Sequence, residues 1–146
     1  PEGAAVACAG EWPMTFVPLD VTMKHLLTVP EADEIGQLPG AIPAALHAML
    51  GTYLGFYAEW YGFDGCALHD PLAALLVADA VTATEFLTPD AVGVVTEDPH
   101  RGRTVALSTD GDPTVFAGPE RIVVQQISRS ASEVLRERRA AHPWPA

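Results

Sequence analysis

His69, Asp70 and Pro71 stand side by side in the stretch DGCALHDPLAALL, which covers residues 64–76. This pair could do chemistry, because an imidazole exchanges protons near neutral pH and a carboxylate binds hard cations such as Ca²⁺. The same letters also describe a helix start, in which Asp70 caps free backbone N–H groups and Pro71 takes the first helical position. Both interpretations fit the local pattern.

The surroundings of the pair favour a functional interpretation. Gly62, Asp64 and Gly65 form a turn-rich segment just before it, and an apolar helix is predicted just after it. The positive end of a buried helix can stabilise a carboxylate or an anion, and it can hold an imidazole away from water. The carboxylate of Asp70 alone cannot form a calcium site, since Ca²⁺ takes six to eight oxygen ligands and the chain has no DxDxD cluster.

The composition narrows the class of protein. The chain has 146 residues, 49% of them hydrophobic, and a formal net charge of -11 with only 8 Lys and Arg residues. These values predict one globular domain over residues 1–146 and disfavour nucleic acid or an anionic membrane as partner.

Cys8 and Cys66 form no CxxC motif, which predicts two buried thiols in a reducing compartment. No basic segment precedes an apolar run at the start, so we expect no signal peptide and a cytoplasmic location.

The elements that must position the pair follow from periodicity and turn residues. The first half predicts a helix within residues 1–9, a strand at 14–19, a helical turn capped by Asp20, a short helix at 31–37, and a helix at 44–61 with Pro43 in its first position. The second half predicts a helix at 71–80 that is apolar nearly all round and therefore buried, and strands at 92–96 and 104–108 that pair as a hairpin. It also predicts a turn at 110–113, strands at 114–117 and 121–127, and a helix at 128–141 that Pro143 and Pro145 end. This mixture predicts an α/β fold.

All three tyrosines of the chain lie in the predicted helix 44–61. Tyr53, Tyr57 and Tyr61 are spaced at i, i+4 and i+8, which places them on one helix face. The pattern indicates either packing on an amphipathic stripe or a surface that contacts a ligand.

Two longer motifs resemble a known family. Residues 16–22 read FVPLDVT and residues 61–71 read YGFDGCALHDP, and together they resemble the C-terminal half of the inosine-uridine preferring nucleoside hydrolases. The opening PEGAA is similar to that family's DPEAA segment, so the resemblance covers essentially the whole chain. It implies the C-terminal portion of a Rossmann-like nucleoside hydrolase fold, with helices packed on a mixed sheet and a β-hairpin near the C-terminus.

The resemblance also implies an activity and roles for single residues. The family hydrolyses the N-glycosidic bond of ribonucleosides to free base and ribose, and its members commonly form dimers or tetramers. By resemblance, His69 lies over the leaving base as its proton donor. Asp70 is a ligand of a Ca²⁺ ion that also holds the ribose hydroxyls and the attacking water, and Tyr53 and Tyr57 match tyrosines that close over the base.

The sequence also departs from the family pattern. It contains no segment of the type DTDPGxDD, which in the family supplies the general base and most calcium carboxylates. Met23 stands where many members have a polar residue. We therefore expect an incomplete part of a larger domain that pairs with an N-terminal half, and an isolated chain without activity. The alternatives are an inactive binding or oligomerisation remnant of the fold, and a generic α/β domain in which HDP is only a helix cap.

Overall fold

The structure is a computed structural model that describes residues 1–108 and 119–141. The predicted turn at 110–113, the predicted strand at 114–117, and Pro143 and Pro145 lie outside these residues. In chain order the elements are α1 (Glu2–Cys8), β1 (Met14–Phe16), α2 (Leu19–Thr22), β2 (Leu26–Thr28), α3 (Val29–Gly36), α4 (Ala41–Tyr61), β3 (Gly65–Ala67), α5 (His69–Val77), β4 (Ala83–Leu87), β5 (Ala91–Val94), β6 (Thr104–Leu107), β7 (Arg121–Ile127) and α6 (Ala131–Ala141).

The chain groups into two compact units. Residues 1–18 and 84–126 form the first unit, and residues 19–83 with the C-terminal segment from residue 127 form the second. Both units contain helices and strands, in agreement with the predicted α/β fold. The expectation that residues 1–146 form a single α/β unit of a larger domain stays a prediction.

The first unit is built on strands from distant parts of the chain. Its three-stranded sheet has the order β1-β7-β4, and β1 runs parallel to β7 with Thr15 opposite Ile122. β5 and β6 pair antiparallel with Val92 opposite Ala106, which confirms the predicted hairpin. α1 packs against β5.

The second unit carries the HDP motif. Its core is a short antiparallel pair of β2 and β3, in which Leu27 lies opposite Cys66. α4 packs against α3 and β3, α5 against α2 and α6, and α6 also against β2. The side chains buried here include Val21, Leu27, Ala32, Tyr57, Cys66, Leu68, Leu72, Leu75 and Val134.

Several predicted element boundaries are corrected by the structure. β1 ends at Phe16 and not at residue 19. α2 begins at Leu19, so Asp20 is the second residue of this helix and does not cap it. α3 begins at Val29, because the Glu31 carboxylate accepts hydrogen bonds from the Thr28 backbone N–H at 2.8 Å and from its hydroxyl at 2.9 Å. α4 begins at Ala41 and not at residue 44, so that Pro43 is its third residue and is buried.

The later helices differ from prediction in length and burial. α5 ends at Val77, whose side chain is 86% exposed, so the helix is not buried all round but only along the face of Leu72 and Leu75. α6 begins at Ala131 and not at residue 128. Both cysteines are free thiols; Cys66 is buried as predicted, whereas Cys8 is only half-buried.

Within the described residues, no helix is long and apolar enough to cross a membrane.

Candidate active site

The pairing of β2 with β3 sets the position of His69 and Asp70. The Leu68 N–H donates to the His25 carbonyl at 2.9 Å, which continues the β2–β3 pairing by one residue. The Leu68 carbonyl then accepts the first helical hydrogen bond from the Leu72 N–H at 3.1 Å. The chain therefore turns directly from strand into helix, and His69 is the first residue of α5.

This geometry shows that Asp70 does not cap the helix. Leu68 holds the N-cap position without a side-chain cap bond, and Asp70 is the second residue of α5. Asp70 is exposed, and its carboxylate lies in the first turn, where the positive end of the helix favours a negative charge. In the part of the chain that the structure describes, no hydrogen bond or ion pair is formed by this carboxylate. The helix-cap interpretation of Asp70-Pro71 is therefore wrong.

The imidazole of His69 is held between two hydroxyl groups. Its Nδ1 lies 2.7 Å from Oγ1 of Thr22 on α2, and its Nε2 lies 2.7 Å from Oη of Tyr57 on α4. Both distances are those of good hydrogen bonds. Helices that are distant in sequence thus fix both the position and the rotation of this ring.

Tyr57 lies in an aromatic cluster on the second half of α4. Its ring centroid is 5.1 Å from that of Tyr53 and 5.2 Å from that of Tyr61, which confirms that the three tyrosines share one face. The Tyr57 side chain is only 4% exposed. Burial, and next the hydrogen bond with Tyr53, raise the pKa of Tyr57 to about 12.

A cleft of about 520 Å³ opens beside the motif. Three of the four sequence-predicted site residues line it, namely Tyr53, His69 and Asp70. The other residues along its wall are mostly apolar: Leu46, Met49, Leu50, Cys66, Ala67, Leu68 and Pro71. Tyr57 is not among the lining residues and instead contacts His69. The structure therefore brings the four residues together. Tyr57, however, contacts His69 instead of lining the cleft in which it was expected to close over the base.

The residues that the structure describes do not by themselves form a calcium site. Among them, no three His, Cys, Asp or Glu side chains lie close enough to hold a metal ion. Asp70 is the only carboxylate among the described residues of the cleft wall, and it offers at most two of the six to eight oxygens that Ca²⁺ requires.

Thr22 is the residue at this site that sequence reasoning missed. From the sequence, Thr22 is only the last residue of the segment Asp20-Val21-Thr22. A threonine in a helix ordinarily donates a hydrogen bond from its hydroxyl to a backbone carbonyl one turn earlier. Its contact with His69 spans 47 positions, and no local pattern reports such a contact.

The comparisons with known proteins agree with this architecture. The family model described as inosine-uridine preferring nucleoside hydrolase matches residues 1–134. A plant nucleoside hydrolase is 21% identical with a TM-score of 0.80, over 94% of this chain and 44% of its own. The structure of a purine-preferring ribonucleoside hydrolase from Gardnerella vaginalis is 30% identical with a TM-score of 0.73, over 94% of this chain and 42% of its own.

The chain thus spans less than half the length of these solved structures. No curated protein matches it. The fold that these structures share is the nucleoside hydrolase fold, and the matched part corresponds to the portion predicted from the sequence. Because the family model covers nearly the whole chain, the chain belongs to the inosine-uridine preferring nucleoside hydrolase family.

Proposed function

We propose that the intact protein hydrolyses the N-glycosidic bond of ribonucleosides and releases the free base and ribose. The observation that carries this proposal is the placement of His69, which lines the cleft beside Asp70 while hydroxyl groups hold both of its ring nitrogens. Cleavage of such a bond develops positive charge on the sugar. The base leaves more easily when it is protonated, and a positioned imidazole can supply that proton.

We assign His69 as the acid that protonates the leaving base. We assign its Nε2 to this task; the hydrogen bond between Nε2 and the Tyr57 hydroxyl has to be exchanged for one to the base as the proton is transferred. When the base departs, the proton moves from His69 to a base nitrogen. Water supplies the hydroxyl group that remains on the sugar, and the proton left from this water would pass to a general base in the part of the site outside this chain. In this proposal Tyr53, which is 42% exposed, contacts the base, whereas Tyr57 holds the acid.

Asp70 is proposed as a single ligand of a Ca²⁺ ion whose other ligands lie outside this chain. Asp70 lines the cleft and is exposed, and within the described residues its carboxylate has no hydrogen-bond or ion-pair partner. Calcium titration by calorimetry tests this assignment: in the intact protein, Asp70→Asn should weaken calcium binding, and the control Asp64→Asn, at an exposed turn residue, should not. Equal affinity in the Asp70→Asn variant and the parent protein would remove Asp70 from the ligand set.

The activity itself is tested by product analysis. The intact protein is incubated with inosine and with uridine, and free base and ribose are measured by chromatography. We expect both products in equal amounts, and the control variant His100→Ala, at an exposed loop histidine, should behave like the parent. Binding of ribonucleosides without release of base would instead support an inactive remnant of the fold.

The isolated 146-residue chain should not turn over ribonucleosides. Asp70 is the only carboxylate on the described wall of its cleft, so this part of the chain offers no separate base to activate water. Measurable turnover by the isolated chain would contradict the proposal that it holds only part of the site. The association of the protein into oligomers, or with an N-terminal half, stays a prediction.

A further inference from the structure

The hydroxyl of Thr22 makes two contacts, and only one placement of its proton satisfies both of them as hydrogen bonds. Oγ1 donates to the Leu19 carbonyl at 3.3 Å and lies 2.7 Å from Nδ1 of His69. A carbonyl oxygen only accepts hydrogen bonds, and a threonine hydroxyl has a single proton to donate. The arrangement that satisfies both contacts directs this proton to Leu19 and lets Oγ1 accept from His69, which requires a hydrogen on Nδ1 of His69.

The assignment of Nδ1 also fixes the state of the other ring nitrogen. In the neutral imidazole, hydrogen on Nδ1 leaves Nε2 with a lone pair, which accepts the hydrogen bond from the Tyr57 hydroxyl at 2.7 Å. When the ring gains a proton, that proton goes to Nε2, while the bond from Nδ1 to Thr22 is unchanged. Proton exchange is thereby confined to Nε2.

We propose that Thr22 is a positioning residue that accepts a hydrogen bond from Nδ1 of His69 and holds the ring in its Nδ1–H tautomer, so that Nε2 is the nitrogen that carries the catalytic proton. The side chain is only 2% exposed, and water therefore does not compete for its hydroxyl. The tautomer assignment rests on geometry alone. Its consequence for turnover rests on the proposed function.

Nitrogen NMR of the intact protein tests the tautomer directly. Histidine ring nitrogens are labelled with ¹⁵N, the His69 signals are assigned with a His69→Gln variant, and spectra are recorded at alkaline pH, where imidazoles are neutral. We expect a protonated Nδ1 and an unprotonated Nε2. Thr22→Ser, which keeps the hydroxyl, should give the same spectrum, whereas Thr22→Val, which removes it at nearly equal size, should shift His69 toward the Nε2–H tautomer.

Two outcomes would overturn the proposal. One is a protonated Nε2 in the neutral parent protein, a result that needs no variant to fold. The other is a folded Thr22→Val variant whose His69 keeps the Nδ1–H tautomer fully.

Kinetics separate the positioning role from a purely structural one. For a ribonucleoside with a poor leaving base, Thr22→Val should lower kcat on the order of ten-fold with little change in KM, and Thr22→Ser should retain most of the activity. A loss confined to KM, or an equal loss in both variants, would contradict the positioning role. If the parent protein hydrolyses no ribonucleoside, the proposed function fails, whereas the tautomer is still decided by the NMR result.

Discussion

The Oη atom of Tyr57 lies 2.7 Å from Nε2 of His69, although the two residues belong to different helices. Tyr57 is in the second half of α4 and His69 is the first residue of α5. Their ring centroids are 6.4 Å apart, so the hydrogen bond, rather than ring stacking, defines the contact. This bond connects the aromatic face of α4 to the residue that we assign as the acid.

The first prediction concerns stability at alkaline pH. Burial raises the pKa of Tyr57 to about 12, whereas a tyrosine in an unfolded chain ionises at about 10. The folded protein therefore retains this proton more strongly, and the resulting stabilisation, complete below about pH 10, is lost as the pH rises through about 12. Urea unfolding between pH 9 and 12 should show a smaller loss of folding free energy for Tyr57→Phe than for the parent protein.

Tyr61→Phe is the matched control for this experiment, because Tyr61 lies on the same face of α4 but is 53% exposed. Its unfolding free energy should follow the pH profile of the parent protein. An unchanged profile in Tyr57→Phe would show that the Tyr57 hydroxyl is not held in its neutral form by the fold.

The second prediction concerns mildly acidic pH. The Nδ1 atom of His25 accepts a hydrogen bond from the Ala131 N–H, at the first residue of α6, at 3.3 Å. Burial and next the positive charge of Lys24 lower the pKa of His25 from its usual 6.5. The unfolded chain therefore binds this proton more readily, and the stabilisation present above about pH 6.5 is lost as the pH falls through the lower folded value.

Unfolding measurements between pH 7.5 and 5 test this second prediction. His25→Gln should lose less folding free energy on acidification than the parent protein, because the variant has no imidazole at α6 to protonate. His100→Gln, at an exposed loop histidine, should keep the parent's pH dependence. The prediction is wrong if His25→Gln and the parent protein lose stability in parallel.

The third prediction concerns Arg121, a buried cation at the start of β7. Its side chain is 5% exposed, and its guanidinium donates to backbone carbonyls of Cys8, Gly10, Trp12, Pro119 and Glu120. Arg121→Met leaves buried acceptors without donors and should lower the unfolding free energy by at least about 2 kcal/mol in urea titrations. Arg138→Met, at an exposed position of α6, should change it by less than about 0.5 kcal/mol. Similar losses for both substitutions would contradict the account of Arg121.

Local sequence patterns predicted the elements that are long or strongly periodic. α4 has a long run of apolar residues at helical spacing, and the β5–β6 hairpin has two strand-forming runs around a polar turn, so neighbouring residues determine both. β2 and β3 have three residues each and were not predicted, because each is stabilised by a partner far along the chain. β4, whose partner in the sheet is β7, was missed for the same reason.

The same distinction between local and distant contacts applies to the site. His69 and Asp70 were found because adjacent residue types suggest chemistry, but the helix start was placed wrongly. Local rules favoured a cap at Asp70, whereas the Leu68 N–H is held by the His25 carbonyl, so that the helix begins before Asp70. The contact of Thr22 with His69 is made only in the folded chain, and the sequence gives no sign of it.

The role that we assign to His69 is to protonate the departing base. Its most direct test compares two ribonucleosides in the intact protein, one with a poor leaving base and one with an activated base that departs without a proton. Values of kcat/KM are measured for the parent, for His69→Ala, and for the control His100→Ala. General acid catalysis is typically worth about 10²–10⁴-fold.

We expect a loss of that order for the poor leaving base in His69→Ala and a much smaller loss for the activated base, because only the first needs the proton. His100→Ala should leave both values unchanged. Equal losses for the two substrates in His69→Ala would show that His69 does not supply a proton to the leaving base.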